Sequence, residues 1–107
     1  MSVQDKIREQ VTTNPVVLYM KGSPQFPQCG FLASATQLLK MSGADSLFTV
    51  DVLQNPDIRE GIKQFANWPT IPQLYVNGEF VGGSDIMKEM YQSGELQKLI
   101  AGAKKPG

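Results

Sequence analysis

Gln73-Leu74-Tyr75-Val76-Asn77-Gly78-Glu79-Phe80-Val81-Gly82 is the stretch whose reading decides the architecture. Asn-Gly between two β-prone runs is the strongest short hairpin signal, because a type I′ turn needs positive φ at both central residues. A two-residue turn pairs Val76 with Glu79, Tyr75 with Phe80 and Leu74 with Val81. Apolar pairs then fall on both faces of the hairpin, so helices are expected on both sides.

Upstream, Val16-Val17-Leu18-Tyr19-Met20 is a continuous apolar run of strand length, also suited to burial on two faces. A helix is predicted before it. Ser2 followed by Asp5 resembles a capping box with Asp in place of Glu, and Val3, Ile7 and Val11 recur every four residues. Asn14-Pro15 ends that helix. After the loop Lys21–Gln28, a helical stripe of Phe31, Ala35, Leu38 and Leu39 runs toward Gly43, which suits a helix end. Leu47 to Val52 reads as a strand. Asn55-Pro56 supplies an N-cap and a first-turn proline for a helix with Ile58, Ile62 and Phe65 on its inner face. The two prolines of Asn67-Trp68-Pro69-Thr70-Ile71-Pro72 forbid regular structure there. Gly83-Ser84-Asp85 opens a last helix with Ile86, Met87 and Met90, continued by Leu96, Leu99 and Ile100 after a break near Gly94. The order is helix, strand, helix, strand, helix, strand, strand, helix. A right-handed crossover makes the first two strands parallel, and the hairpin adds an antiparallel half. The expected fold is α/β, a mixed four-stranded sheet with helices on both faces, as a single domain over residues 1–107.

Composition narrows the chemistry. Ten Lys and Arg balance ten Asp and Glu, so charge gives no reason to expect a nucleic-acid or membrane partner. There is no histidine and one cysteine, which excludes an internal disulfide and a zinc finger. A single unpaired cysteine fits a reducing compartment. Ser2–Ile7 does not read as a signal or transit sequence and no apolar run approaches membrane-span length, so a cytoplasmic location is expected.

Cys29 sits where a loop becomes a helix. Helix N-termini carry unpaired N–H groups and positive potential, which favour thiolate over thiol. Lys21 adds positive charge at the mouth of the same loop, and Gly30 allows close backbone approach to the sulfur. The plainer reading, a cysteine filling the core, suits a proline-bearing loop beside a helix start poorly.

Lys21, Cys29-Gly30-Phe31, Trp68-Pro69-Thr70-Ile71-Pro72-Gln73, Asn77-Gly78 and Gly82-Gly83-Ser84-Asp85 together resemble the monothiol glutaredoxins in order and spacing, from about Asn14 to Ile100. The resemblance implies a thioredoxin-like fold with Pro72 in the cis form. It implies glutathione as ligand: Lys21 and Arg59 on the glycine carboxylate, the backbone of Ile71 paired with the cysteinyl peptide, and Ser84 and Asp85 on the glutamyl end. Each residue also has a plainer role. Lys21 could be an ordinary surface lysine, and Arg59 could face solvent or pair with Asp57 or Glu60. Ser84 and Asp85 could only cap a helix, Trp68 could only pack, and Met87 and Met90 fit a core stripe.

The family's Cys-Gly-Phe-Ser motif has Leu32 here in place of its Ser. Leu32 cannot resolve a mixed disulfide, so the one-cysteine assignment stands. It also offers no hydroxyl to the sulfur or backbone, which implies weaker thiolate stabilisation or cluster retention than the family norm.

A 2Fe-2S cluster wants four thiolate-type ligands. One chain supplies Cys29 alone, so the resemblance implies a cluster shared by two chains and two glutathiones. The expected states are a homodimer with cluster and a monomer without it, serving iron–sulfur storage and transfer with a BolA-like partner and acceptor proteins. The alternative is glutathione-dependent thiol–disulfide exchange through Cys29 alone, at most a weak oxidoreductase activity. A pure interaction module would leave Cys29 dispensable.

Overall fold

The computed structural model describes residues 2–22, 30–42 and 47–103, with the side chains of 31, 32, 34 and 35 excepted. The elements are α1 (Val3–Thr13), β1 (Val16–Met20), α2 (Gly30–Met41), β2 (Leu47–Asp51), α3 (Pro56–Ala66), β3 (Gln73–Val76), β4 (Glu79–Gly82), α4 (Ser84–Ser93) and α5 (Glu95–Gly102). The sheet order is β2-β1-β3-β4, with β1 parallel to β2 and antiparallel to β3. This is the expected mixed sheet. Among the described residues no helix is long and apolar enough to cross a membrane.

Alternation along β1 and β3 feeds two separate cores. Val16, Leu18 and Met20 join Leu74 and Val76 on one face, under Leu39 of α2, Met87 of α4 and Leu96 and Ile100 of α5. Val17, Tyr19 and Tyr75 face the other way, under Ile7 and Val11 of α1 and Ile58 and Ile62 of α3. Both strands are buried along their whole length, as a sheet covered on both faces requires. The second core also holds two phenols. The Tyr19 and Tyr75 rings meet edge to face, 5.6 Å apart, and the Tyr19 hydroxyl donates to Gln10 Oε1 at 2.7 Å.

Helix ends follow the sequence with exceptions. Ser2 Oγ accepts the Asp5 N–H at 3.2 Å, as the capping reading anticipated. Asn55 occupies the N-cap of α3 with Pro56 behind it, but its side chain makes no capping bond; Nδ2 donates instead to the Asp51 carbonyl at 3.0 Å. β2 stops at Asp51, one residue short of the expected Val52, because the Asp51 side chain turns the chain there by accepting the Leu53 N–H. The break at Gly94 divides the last helical segment into α4 and α5. Leu39 is buried as expected, while the predicted stripe positions Phe31 and Ala35, and Gly43, lie outside what is described.

The hairpin departs from its predicted register in one place. Asn77 and Gly78 have φ of 53° and 83°, as a type I′ turn requires, and Val76 and Tyr75 pair with Glu79 and Phe80. Leu74, however, stands opposite Gly82 and not Val81, because a bulge adds a residue to β4. Gly82 has φ of +155°, and a Cβ there would lie 2.6 Å from Ile86 Cβ. The bulge therefore allows α4 to start directly against the end of β4.

Two outcomes follow from this packing. Gly82→Ala is expected to cost about 1–3 kcal/mol through the backbone conformation and the collision with α4, read as a lower urea midpoint. Desolvation, and for Tyr19 also the nearby Tyr75, pushes both phenols above their ordinary range. The unfolded chain ionises tyrosine at about pH 10, while the folded chain keeps both protonated. Stability is then complete below about pH 10 and falls as pH rises past it, so urea midpoints at about pH 9 and about pH 11 should differ, and differ less in Tyr19→Phe.

Candidate functional site

One end of the sheet gathers the predicted residues. β1 and β2 both terminate there, at Met20 and Asp51. Because β3 runs antiparallel to β1, its first residue, Gln73, lies opposite Tyr19 at the same end. β4 delivers Gly82 opposite Leu74, so the start of α4 arrives there as well. Sheet topology alone thus brings together Lys21, the loop 67–72 and Ser84-Asp85.

A cavity of about 270 Å³ opens at this end, lined by Trp68, Thr70, Ile71, Pro72, Gly83, Ser84, Asp85 and Ile86. The Ile71–Pro72 peptide bond is cis. Among the described residues the loop 67–72 pairs with no strand, and Ile71 lies before β3. Trp68 is 40% exposed and rests tilted on Phe80, with ring centroids 5.7 Å apart. Gly83 lies close to Pro72: a Cβ on it would meet the Pro72 carbonyl at 3.4 Å.

Gly83 is the N-cap of α4, and among the described residues no side chain makes a capping bond to this helix start. The first intrahelical bond is Met87 N–H to the Gly83 carbonyl at 3.0 Å. Ser84, Asp85 and Ile86 therefore present first-turn N–H groups without intrahelical partners, a natural seat for a carboxylate. The plainer role of Ser84 and Asp85 as side-chain caps is not the one they take.

The two cations lie apart from this lining. Lys21 follows β1 and is half-buried. Its neighbour Gly22 donates its N–H to Asp51 Oδ1 at 2.9 Å, and the same oxygen accepts from Leu53 N–H at 2.9 Å. The Asp51 carbonyl meanwhile accepts from Asn55 Nδ2. Asp51 therefore fixes both the exit of β1 at Lys21 and the entry of α3, which carries Arg59. Arg59 pairs with neither acid its sequence offered. Asp57 lies 3.9 Å from Lys6, and Glu60 lies 3.7 Å from Lys63. Arg59 Nε is buried and has no hydrogen-bond partner among the described residues.

Cys29, directly before the first residue of α2, lies outside the described residues, as does the side chain of Leu32. Asp51 and Gln73 carry structural roles here that sequence reading missed. Asp51 looked like the end of a strand, and Gln73 was only one letter of a motif. A buried polar residue at the start of an apolar strand was the available signal for Gln73.

A four-stranded mixed sheet between helices, with a cis-proline loop facing a helix N-terminus, is a thioredoxin-like arrangement. The glutaredoxin family pattern matches residues 16–81. The chain is 58% identical over 96 residues to glutaredoxin 4 of Escherichia coli strain K12, covering 90% of this chain and 83% of that one. It is 56% identical over 95 residues to an uncharacterized monothiol glutaredoxin, ycf64-like, of Synechocystis, covering 89% and 88%. The solution structure of reduced poplar apo GrxS14 superposes with a TM-score of 0.82 at 46% identity, covering 94% and 92%. The chain belongs to the glutaredoxin family, in its monothiol branch.

The Asp51 clamp has a measurable value. Asp51→Ala leaves two backbone donors without their acceptor and should cost about 1–2 kcal/mol in urea unfolding. Asp51→Asn keeps one side-chain oxygen and should recover at least half of that loss.

Proposed function

We propose that this chain binds glutathione across the cavity between the cis-proline loop and α4, and that two chains with two glutathiones hold a 2Fe-2S cluster through Cys29. The observation that carries the reading is the cavity itself. It offers a backbone strip at Ile71 that pairs with no strand among the described residues, first-turn N–H groups of α4 without intrahelical partners and an Asp85 carboxylate, at the sheet end where Lys21 also lies.

Glutathione has two carboxylates, an amine and a peptide strand. On this reading its cysteinyl peptide pairs with the Ile71 backbone in the manner of an added strand. The glutamyl carboxylate takes the first-turn N–H groups of α4 near Ser84, and its amine faces Asp85. The glycine carboxylate is met by Lys21 and Arg59 through charge-assisted hydrogen bonds. Arg59 favours this reading, because its buried Nε is uncommitted within the described fold.

The donor set bears on the cluster. The sequence holds one cysteine and no histidine, and among the described residues no group of three or more Cys, Asp or Glu could hold a metal. A single chain therefore fits only a shared cluster, with Cys29 as its one thiolate and glutathione thiols completing the four. Such a cluster, once bound, is cargo to be handed to acceptor proteins, with a BolA-like protein as an expected partner and the cytoplasm as the expected location.

Without a cluster, the same residues support thiol exchange. Cys29 thiolate attacks the glutathionyl sulfur of a mixed disulfide, and the target leaves as thiolate. A second glutathione thiolate then attacks the Cys29–glutathione disulfide, releasing glutathione disulfide and regenerating Cys29.

Anaerobic reconstitution with iron, sulfide and glutathione, followed by visible absorption and size-exclusion chromatography, tests the proposal. A coloured dimer that depends on glutathione and is lost in Cys29→Ser is the expected result. A colourless monomer that deglutathionylates a peptide would move the function to thiol exchange. In that event Leu32→Ser is the variant to reconstitute next.

A further inference from the structure

The loop that lines the cavity is held from beneath by one side chain. Gln73 is completely buried. Its Nε2 donates to the Trp68 carbonyl and to the Thr70 carbonyl, both at 3.1 Å. Its Oε1 accepts from the Tyr75 hydroxyl at 3.0 Å. The amide has only one workable orientation, because two carbonyl oxygens can only accept and so must face the NH2 end. Tyr75 in turn is fixed by rings on three sides: Tyr19 at 5.6 Å, Phe65 at 5.9 Å and Phe80 at 5.4 Å.

Among the described residues loop 67–72 has no strand partner, so its carbonyls need other donors. α3 contributes at the near end, where the Trp68 N–H donates to the Lys63 carbonyl at 2.9 Å. Gln73 covers the middle with both of its amide hydrogens, one on each side of Pro69. Ile71, the residue next along, lines the cavity together with Pro72.

We propose that Gln73 is a positioning residue for the ligand strip. It grips the Trp68 and Thr70 carbonyls from the core so that the Ile71 backbone is presented, already ordered, to the cysteinyl peptide of glutathione. The inference rests on the glutathione reading above and deepens it. Gln73 never touches the ligand. Its contribution is the ordering that a free loop would otherwise undergo on binding, a cost that preorganisation removes from the binding equilibrium. Methionine at this position would fill similar volume and leave both carbonyls without a donor. Phenylalanine in place of Tyr75 would keep the donors and release only the far end of the amide.

Two readouts separate this proposal from the glutathione reading. Backbone 15N relaxation on the ligand-free chain reports the order of Thr70 and Ile71, with Leu18 and Leu74 as core references. Titration with reduced glutathione reports affinity. In Gln73→Met, the order parameters of Thr70 and Ile71 should fall while those of Leu18 and Leu74 hold, and glutathione should bind about tenfold more weakly. Tyr75→Phe should weaken it about two- to threefold, with a smaller loss of order at the same two residues. If the unaltered chain binds no glutathione, the ligand reading fails. Unchanged order at Thr70 and Ile71 in Gln73→Met, or loss of order with unchanged affinity, overturns the positioning role. Should Gln73→Met not fold, Tyr75→Phe decides: wild-type order and wild-type affinity there overturn it.

Discussion

The antiparallel register of β1 against β3, with Leu18 opposite Leu74 and Tyr19 opposite Gln73, is the constraint on which the rest depends. It sets which side chains enter which core. Slipping it by one residue would drive the Tyr75 hydroxyl and the Gln73 amide into the aliphatic core with Leu39, Met87 and Leu96. Polar groups buried there without partners would cost about 1–3 kcal/mol each. In the native register the same groups find acceptors and donors. Tyr19 reaches Gln10, Tyr75 reaches Gln73, and Gln73 reaches the loop. The polar atoms of the second core thus act as a key for the register, and the register places the site.

That register also explains why the site is built mainly of backbone. The strand ends of β1, β2 and β3 converge, and the bulge at Gly82 turns β4 so that α4 begins beside Pro72. What the cavity offers is a peptide strip on one wall and helix N–H groups on the other. Backbone donors and acceptors carry no side-chain rotamer entropy, so their placement depends entirely on what holds the chain. Here the holding groups are Asp51 at the Lys21 end and Gln73 at the proline end, both acting through hydrogen bonds to main-chain atoms.

The parts of this fold legible in the sequence were those with a local cause. Asn77-Gly78 fixes its turn by φ alone, and the spacing of Ile7 and Val11, or Ile58 and Ile62, is a helical face whatever lies opposite. The misses have non-local causes. Counting outward from the turn assumed an unbroken ladder, and nothing local to Leu74 announces that Gly82 will bulge to make room for Ile86. Asn55 reads as a side-chain cap, yet its amide goes to Asp51, a choice set by the tertiary path of the turn. Of the candidate site residues, Ile71, Ser84 and Asp85 come together on one cavity, while Lys21 and Arg59 stand outside its lining. Gln73 was visible as a letter of a motif, but its work depends on a loop curling back over it, which no period or propensity encodes.

The charges of α3 sharpen the case for a ligand. Asp57 and Glu60 are exposed at their side chains and engage Lys6 and Lys63 at distances near the limit of an ion pair. Such surface pairs contribute about 0–1 kcal/mol, and neither involves the neighbouring Arg59. Arg59 is a different matter: its Nε is buried and has no hydrogen-bond partner among the described residues, and a buried donor left unpaired opposes folding. In the proposed complex a ligand carboxylate would meet the guanidinium of this half-buried arginine through charge-assisted hydrogen bonds. In the proposed glutathione complex Arg59 would gain the acceptor that the described residues do not give it, although it stands outside the cavity lined by Ile71 and the start of α4.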